Sequence, residues 1–246
     1  MKKRLFTIPS VLVLLVASVM PAVAQERPKE NPYVDRLIFW GYPESYLENQ
    51  AKMGFLQINE VLQANKPSLR ENMNRDMALL GLDMLLHDRK NDNSEAFHQF
   101  INSRMQAMLQ DMDKPVKKGM KIYKSYNDGF IVKTKKATIA IDLVPGGPKN
   151  NPFITDSIIY AIADRCDAMF ITHAHGDHAN LDIAKAFAAK GKLVIVPKGL
   201  WTGVDPQIQQ LLDADTVVSV PFDKLGMNLQ ILPGHQDDMY NNIYVM

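Results

Sequence analysis

Residues 167–180 read DAMFITHAHGDHAN, an apolar run that opens into His173, His175, Asp177 and His178. Imidazole and carboxylate are the side chains that divalent metals take as ligands, so metal chemistry is the first expectation for this chain. Asp167 to Thr172 is expected as a short buried strand. Residues two apart in an extended chain point the same way, so His173 and His175 can face one ion together. Gly176 is expected to permit a sharp turn, and a helix to start at about Asn180. Asp177 and His178 then lie on the strand-to-helix loop and address a second position beside the first, so one loop would serve two metals.

A tetrahedral site with three protein ligands and an open position needs a ligand from elsewhere. The other histidines are His87, His98 and His235. His235 stands in ILPGHQDD, directly after the apolar run Leu229 to Leu232, with Pro233 and Gly234 shaping a loop end, and is the natural partner. His87 and His98 fall in helical segments with no second ligand three or four residues on, and are assigned surface or packing roles. The donor set suits zinc, and also iron or manganese, so the pattern points to a divalent metal, one ion or two, without naming it.

At these residues the chain resembles the metallo-β-lactamase-fold hydrolases, through THAHGDH and the later Gly234-His235, over about residues 119 to 246. The run KIYKSYNDGFIVKTKKATIAIDLVPGG is similar to the opening β-hairpins of that fold, with Asp142 where family members carry a strand-end aspartate near the metals. The resemblance implies an α/β fold, a partial αββα sandwich preceded by a small all-α region. It implies His173, His175 and His235 around a first metal, with Asp177 and His178 at a second. Asp177 would bind that metal or orient the nucleophile, and is the candidate catalytic carboxylate. The family usually adds a metal-bridging aspartate and a last histidine, downstream of a strand that YNNIYVM resembles. The chain stops at Met246, and Asp237 and Asp238 follow His235 too closely to match, so the second site is expected to be incomplete. A C-terminally truncated product, a missing C-terminal half or a completing second copy in a homodimer is the corresponding expectation, because the strand read at Tyr240 to Met246 is left at an open edge.

Such a site implies hydrolysis. A divalent ion lowers the pKa of bound water from about 15.7 to about 7, giving a metal-bound hydroxide that attacks an ester, amide, lactone or phosphoester. The alternative is a non-catalytic, degenerate metal-binding or scaffold protein of the same fold. Specificity would lie in the loops Val144 to Asn151 and Trp201 to Pro206, which carry no transferable code.

Residues 1–24 combine a basic start, Met1-Lys2-Lys3-Arg4, with an apolar stretch centred on Val11 to Val19 and the A-x-A site Ala22-Val23-Ala24. This is the pattern of a signal peptide cleaved near Ala24-Gln25, and it implies a periplasmic or secreted protein with a small-molecule or extracytoplasmic substrate. The apolar run lies between Pro9 and Pro21 and is shorter than the roughly 20 residues of a spanning helix. The net charge is +1, and −2 once the three cations of the signal are removed, so no bulk attraction to nucleic acid is expected. The single Cys166 makes no internal disulfide.

A polar, proline-bearing linker over residues 25–44 precedes three expected amphipathic helices between 45 and 118. Capping boxes at Ser45-Tyr46-Leu47-Glu48 and Ser68-Leu69-Arg70-Glu71 open the first two, and Ser94 opens the third. Their apolar stripes are Leu47, Ala51, Phe55, Ile58 and Leu62; Leu69, Met73, Met77, Leu80 and Met84; and Phe97, Ile101, Met105, Met108 and Met112. The methionines recur at core spacing, which favours packing over copper binding. Beyond the boundary at 118/119, strands are expected near 120–125, 130–134 and 137–143, with turns at Asn127-Asp128-Gly129 and Lys135-Lys136. Helices near 155–164, 180–190 and 205–213 alternate with strands near 167–172, 193–196, 216–220 and 227–232.

Overall fold

The computed structural model describes residues 43–87, 94–210, 218–222, 227–236 and 239–245. The expected signal peptide and cleavage site, the expected linker up to residue 42, and Asp237 and Asp238 lie outside the described residues. The chain divides into a unit Met1–Pro43 and a unit Glu44–Met246, and the architecture below is that of the second. It is mixed α/β with a mostly parallel sheet.

Three helices come first: α1 (Pro43–Ala64), α2 (Met73–His87) and α3 (Glu95–Met112). Ser94 caps α3 as expected, its Oγ accepting the Phe97 N–H at 3.2 Å. The other two expected starts shift. Helix α1 begins at Pro43, which puts Ser45 inside it. Ser68 is spent on a local turn with Arg70, while Asn72 accepts the Arg75 N–H at 3.2 Å and opens α2. Asparagine is as good a cap as serine, and it sits one residue before the helix.

The stripes of α1 and α3 are buried from Ala51 to Leu62 and from Phe97 to Met112, as their spacing predicts. That of α2 is overturned: Leu69, Met73, Met77, Leu80 and Met84 are exposed, and the face turned inward carries Ala78, Leu82 and Leu85. Small residues decide this. A Cβ on Gly81 would stand 3.7 Å from Ile58, and one on Gly54 only 2.9 Å from Leu85, so the glycine of each helix receives a large side chain of the other.

Strands β1 (Lys121–Lys124), β2 (Phe130–Lys133) and β3 (Thr138–Ile141) form an antiparallel meander, and β4 (Ala168–Phe170), β5 (Leu193–Val196) and β6 (Ile208–Gln210) extend it in parallel in the order β1-β2-β3-β4-β5-β6. The crossovers are α4 (Asp156–Arg165) and α5 (Leu181–Ala189). The helix expected over 205–213 is corrected at Ile208–Gln210, which is strand β6 paired with β5. Asp205 ties its own carbonyl to the Ile208 N–H and its carboxylate to the Gln207 N–H, a turn that delivers Ile208 to the open ladder of β5. A second sheet holds β7 (Val218–Phe222), β8 (Met227–Gln236) and β9 (Met239–Val245), all antiparallel.

Period-two alternation builds the layers. Ala140, Met169, Ile171, Val194 and Val196 join the core formed with α1, α3, α4 and α5. Ile139, Ala168, Phe170 and Ile195 point the other way and pack with Leu229 and Ile231 of β8. The first sheet therefore lies between helices and the second sheet. Cys166 is fully buried, and burial pushes its thiol up to about 12, so it is inert at neutral pH. Among the described residues no helix is long and apolar enough to cross a membrane.

Candidate metal centre

The site forms where three chain segments end together. Strands β3 and β4 run parallel, so their carboxyl ends lie side by side and deliver Asp142 and Thr172-His173 to one edge of the sheet. Phe130, the first residue of β2, pairs with Ile141, the last of β3, so the β1–β2 turn reaches the same edge. In open α/β sheets that edge is where ligands gather.

Asp142 is 4% exposed and sits at φ +47°, a left-handed conformation that costs a residue with a Cβ roughly 1–2 kcal/mol. Its hydrogen bonds hold it there. The Thr172 N–H donates to Oδ1 at 2.7 Å, and the Thr172 hydroxyl donates to Oδ2 at 2.6 Å. The Nδ1–H of His178 donates to the same Oδ2 at 2.9 Å, which leaves His178 Nε2 as a lone pair. Thr172 Oγ1, having given its proton to Asp142, accepts the Nδ1–H of His173 at 3.0 Å. Its other nitrogen, His173 Nε2, is thus left as a second lone pair, on a ring only 4% exposed.

His173 Nε2 lies 3.0 Å from His175 Nδ1. Two nitrogens held by one tetrahedral ion at about 2.0–2.1 Å would stand roughly 3.4 Å apart, so the pair needs little adjustment to share an ion. Burial first, with the charges of His178 and His175 adding, holds His173 below the ordinary imidazole range, against a smaller opposing pull from Asp142 and Asp177. The neutral ring is the form that binds a metal. The ring of His178 is 3.9 Å from that of His173, which makes the two positions neighbours.

Around His178 Nε2 the structure brings together Asp177 Oδ2 at 3.8 Å and Asp128 Oδ2 at 3.5 Å. The three ligand atoms lie within 4.8 Å of one another and fit a divalent cation. Asp128 comes from the β1–β2 turn and was not among the residues expected from sequence. The only local signal was Asn127-Asp128-Gly129, which reads as a turn; Asn127 there adopts φ +51° and its amide donates to Asp177 Oδ2 at 3.4 Å. Thr172 was likewise read only as a strand residue.

Gly176 lies in the expected turn, closed by Ala179 N–H to His175 carbonyl at 2.8 Å. Glycine is not required there, since a Cβ would meet nothing within 4 Å. Asn180 caps α5 through the Ile183 N–H at 3.0 Å. Gly234 is needed: a Cβ would stand 2.9 Å from the Asn241 carbonyl oxygen on the paired strand. His235 follows it in β8, at the register position opposite Tyr240. Two positions back along the ladder, Pro233 pairs with Asn242, whose N–H donates to the Thr172 carbonyl at 2.8 Å, so the backbone of β8 and β9 is tied to the strand end that carries His173. The His235 side chain lies outside the described residues. Asn242 Oδ1 is buried with no hydrogen-bond partner among the described residues.

A groove of about 940 Å³ lies between α4, α5 and the loop from Pro145 to Pro152, part of the stretch expected to set specificity. None of His173, His175, Asp177 and His178 lines it; Asn180 is its nearest member in sequence. His98 meets Phe153 edge-on at 5.6 Å, and His87 is exposed and bonded to the Asp83 carbonyl, so both stand apart from the cluster. Compared with known proteins, the chain matches no family model and no curated protein.

Proposed function

We propose that the chain is a metal-dependent hydrolase built on a metallo-β-lactamase-like sandwich, acting on an ester, amide, lactone or phosphoester outside the cytoplasm. The observation that carries this reading is the donor set itself: two imidazole nitrogens 3.0 Å apart beside an imidazole and two carboxylates within 4.8 Å. The layering of helices, first sheet and second sheet, with the donors at the carboxyl ends of parallel strands, supports the fold assignment. Export rests on the N-terminal sequence alone.

His173 and His175, with His235 as their candidate partner, would hold one ion, and Asp177, His178 and Asp128 a second; zinc, iron and manganese all accept these donors. When bound, a divalent ion supplies an activated water near neutral pH and polarises the substrate oxygen. The chain's own residues prepare that chemistry. Asp142 fixes His178 through Nδ1 and Thr172 fixes His173 through Nδ1, which leaves Nε2 of each ring as the nitrogen a metal would take. Asp177 is half-exposed and is available to accept a proton from an attacking water at a carboxylate oxygen.

Metal analysis of the purified chain, paired with assays on generic ester and phosphodiester substrates, tests the reading. Bound divalent metal with turnover that is lost in His175→Ala is the expected result. Absence of metal, or turnover unchanged in His175→Ala, would overturn it. Metal without any turnover would instead establish the non-catalytic metal-binding alternative.

A further inference from the structure

We propose that the helical region sets the second cation position: α3, acting through Phe153 and Tyr126, holds the β1–β2 turn so that Asp128 serves as the third protein ligand beside Asp177 and His178. This rests on the metal-site reading above.

The turn alone would not hold Asp128 in place. It is a short exposed reversal closed by the Gly129 N–H to the Tyr126 carbonyl at 3.1 Å and the Ser125 N–H to the Gly129 carbonyl at 2.9 Å. Asp128 is about half-exposed, and its close surroundings offer only exposed polar contacts, Lys124 Nζ at 4.0 Å from its Oδ1 and the neighbouring Asn127 amide on Asp177 Oδ2 at 3.4 Å. The anchorage comes from the residues just before it. Ser125 is buried, with its hydroxyl 4.0 Å from Met105 Sδ on α3. Tyr126 meets Phe153 edge-on, with ring centroids 5.3 Å apart and planes at 73°. Phe153 in turn meets Phe97 of α3 at 4.9 Å and 83°.

The loop that carries Phe153 is itself clamped to α3. Asn102 donates from Nδ2 to the Phe153 carbonyl at 3.0 Å, across 51 residues of sequence. Gly146 lets this loop close on the turn, since a Cβ there would lie 2.4 Å from the Tyr126 ring. One residue, Asn127, separates Tyr126 from Asp128, so a ring locked on one side leaves the carboxylate little freedom on the other. Edge-to-face aromatic pairs contribute about 0.5–1.5 kcal/mol each beyond burial and fix orientation, which is what a ligand on an exposed turn lacks. Tyr126 and Phe153 are thus positioning residues, and Asp128 is the ligand they place. The helical region gains a role that neither a lid nor a separate module requires.

Titration of the metal-free chain with Zn2+ alone by calorimetry, repeated with Co2+ to read the visible absorption of each position, tests the proposal in wild type, Asp128→Asn, Tyr126→Ala, Tyr126→Phe and Phe153→Leu. Wild type is expected to take two ions. Asp128→Asn and Tyr126→Ala should weaken the second by about 10–100-fold while leaving the first within about threefold, and Tyr126→Phe, which keeps the ring, should restore wild-type affinity. Should Tyr126→Ala fail to fold, Phe153→Leu carries the same expectation in a milder form. Second-ion affinity unchanged in Asp128→Asn or Tyr126→Ala, with only the melting temperature lowered, overturns the proposal. Wild type taking one ion overturns it and leaves the hydrolase reading standing; wild type taking none overturns that reading itself.

Discussion

Thr172 serves two partners with one hydroxyl, giving its proton to Asp142 and accepting one from His173. Valine has the same shape but neither capacity. In Thr172→Val the His173 Nδ1–H loses its acceptor and the buried Asp142 loses one of its donors. Groups that orient metal-bound histidines are typically worth 10–100-fold in metal affinity, so Thr172→Val should weaken the first ion by about that factor. Competition against a chelator would measure it, and an unchanged constant would remove Thr172 from the site. The cluster THAHGDH was legible from spacing because its ligands are local. The duty of Thr172 was not, because its partner Asp142 lies 30 residues upstream.

At the scale of elements, α2 and α3 show where helical periodicity suffices and where it does not. The stripe of α3 had one surface to meet and was read correctly. Helix α2 carries two faces, Met73-Met77-Leu80-Met84 and Ala78-Leu82-Leu85, and the partner's shape chose the second. Met77→Gln on the exposed face should therefore change stability by less than about 0.5 kcal/mol. Phe55→Ala on α1, buried among Phe97 and Phe100, should cost about 3–5 kcal/mol. Denaturant melts of both variants decide the point; equal costs would contradict the assigned faces.

The junction of α3 and β1 adds a pH dependence. The Lys121 ammonium at 2.8 Å, helped by Lys114 and the Tyr123 hydroxyl, lowers the Asp111 carboxyl from 3.8 to about 2 against the opposing effect of burial. A depressed carboxyl stabilises the fold above its unfolded value and loses that stabilisation as pH falls through the folded one. Asp111→Asn should therefore show a shallower decline of melting temperature than wild type between pH 3.8 and about 2. Matching declines would show that the junction is not held by this pair. The pair is partly exposed, so its share of total stability is small.

For the molecule as a whole, the helices and the sheet share one core. Ala51 and Phe55 of α1 and Met105, Met108 and Met112 of α3 lie in the same cluster as Ile131, Ala140, Met169 and Val194 of the sheet. A fragment of residues 119–246 would expose that face of the sheet, and burial of large apolar side chains is worth about 1.5–3 kcal/mol each. The fragment is expected to aggregate or to lack near-ultraviolet dichroism, whereas residues 44–246 should give a cooperative melt; a cooperatively folded 119–246 fragment would contradict this.

By itself the amino-acid sequence determined what depends on near neighbours: the period-two strands, the stripes of α1 and α3, the Ser94 cap, and the His-Asp loop with its metal-ligand spacing. These are local because a strand or a helix turn settles side-chain direction within a few residues. Tertiary structure alone decided which face of α2 is buried, that Ile208–Gln210 is a strand and not a helix, and that Asp128, 49 and 50 residues from Asp177 and His178, stands beside them. Each is settled by a partner distant along the chain: the contour of α1, the open ladder of β5, and the pairing of β2 with β3 that carries the β1–β2 turn to the edge where β4 ends. Such partners leave no periodic trace in the segment they act on.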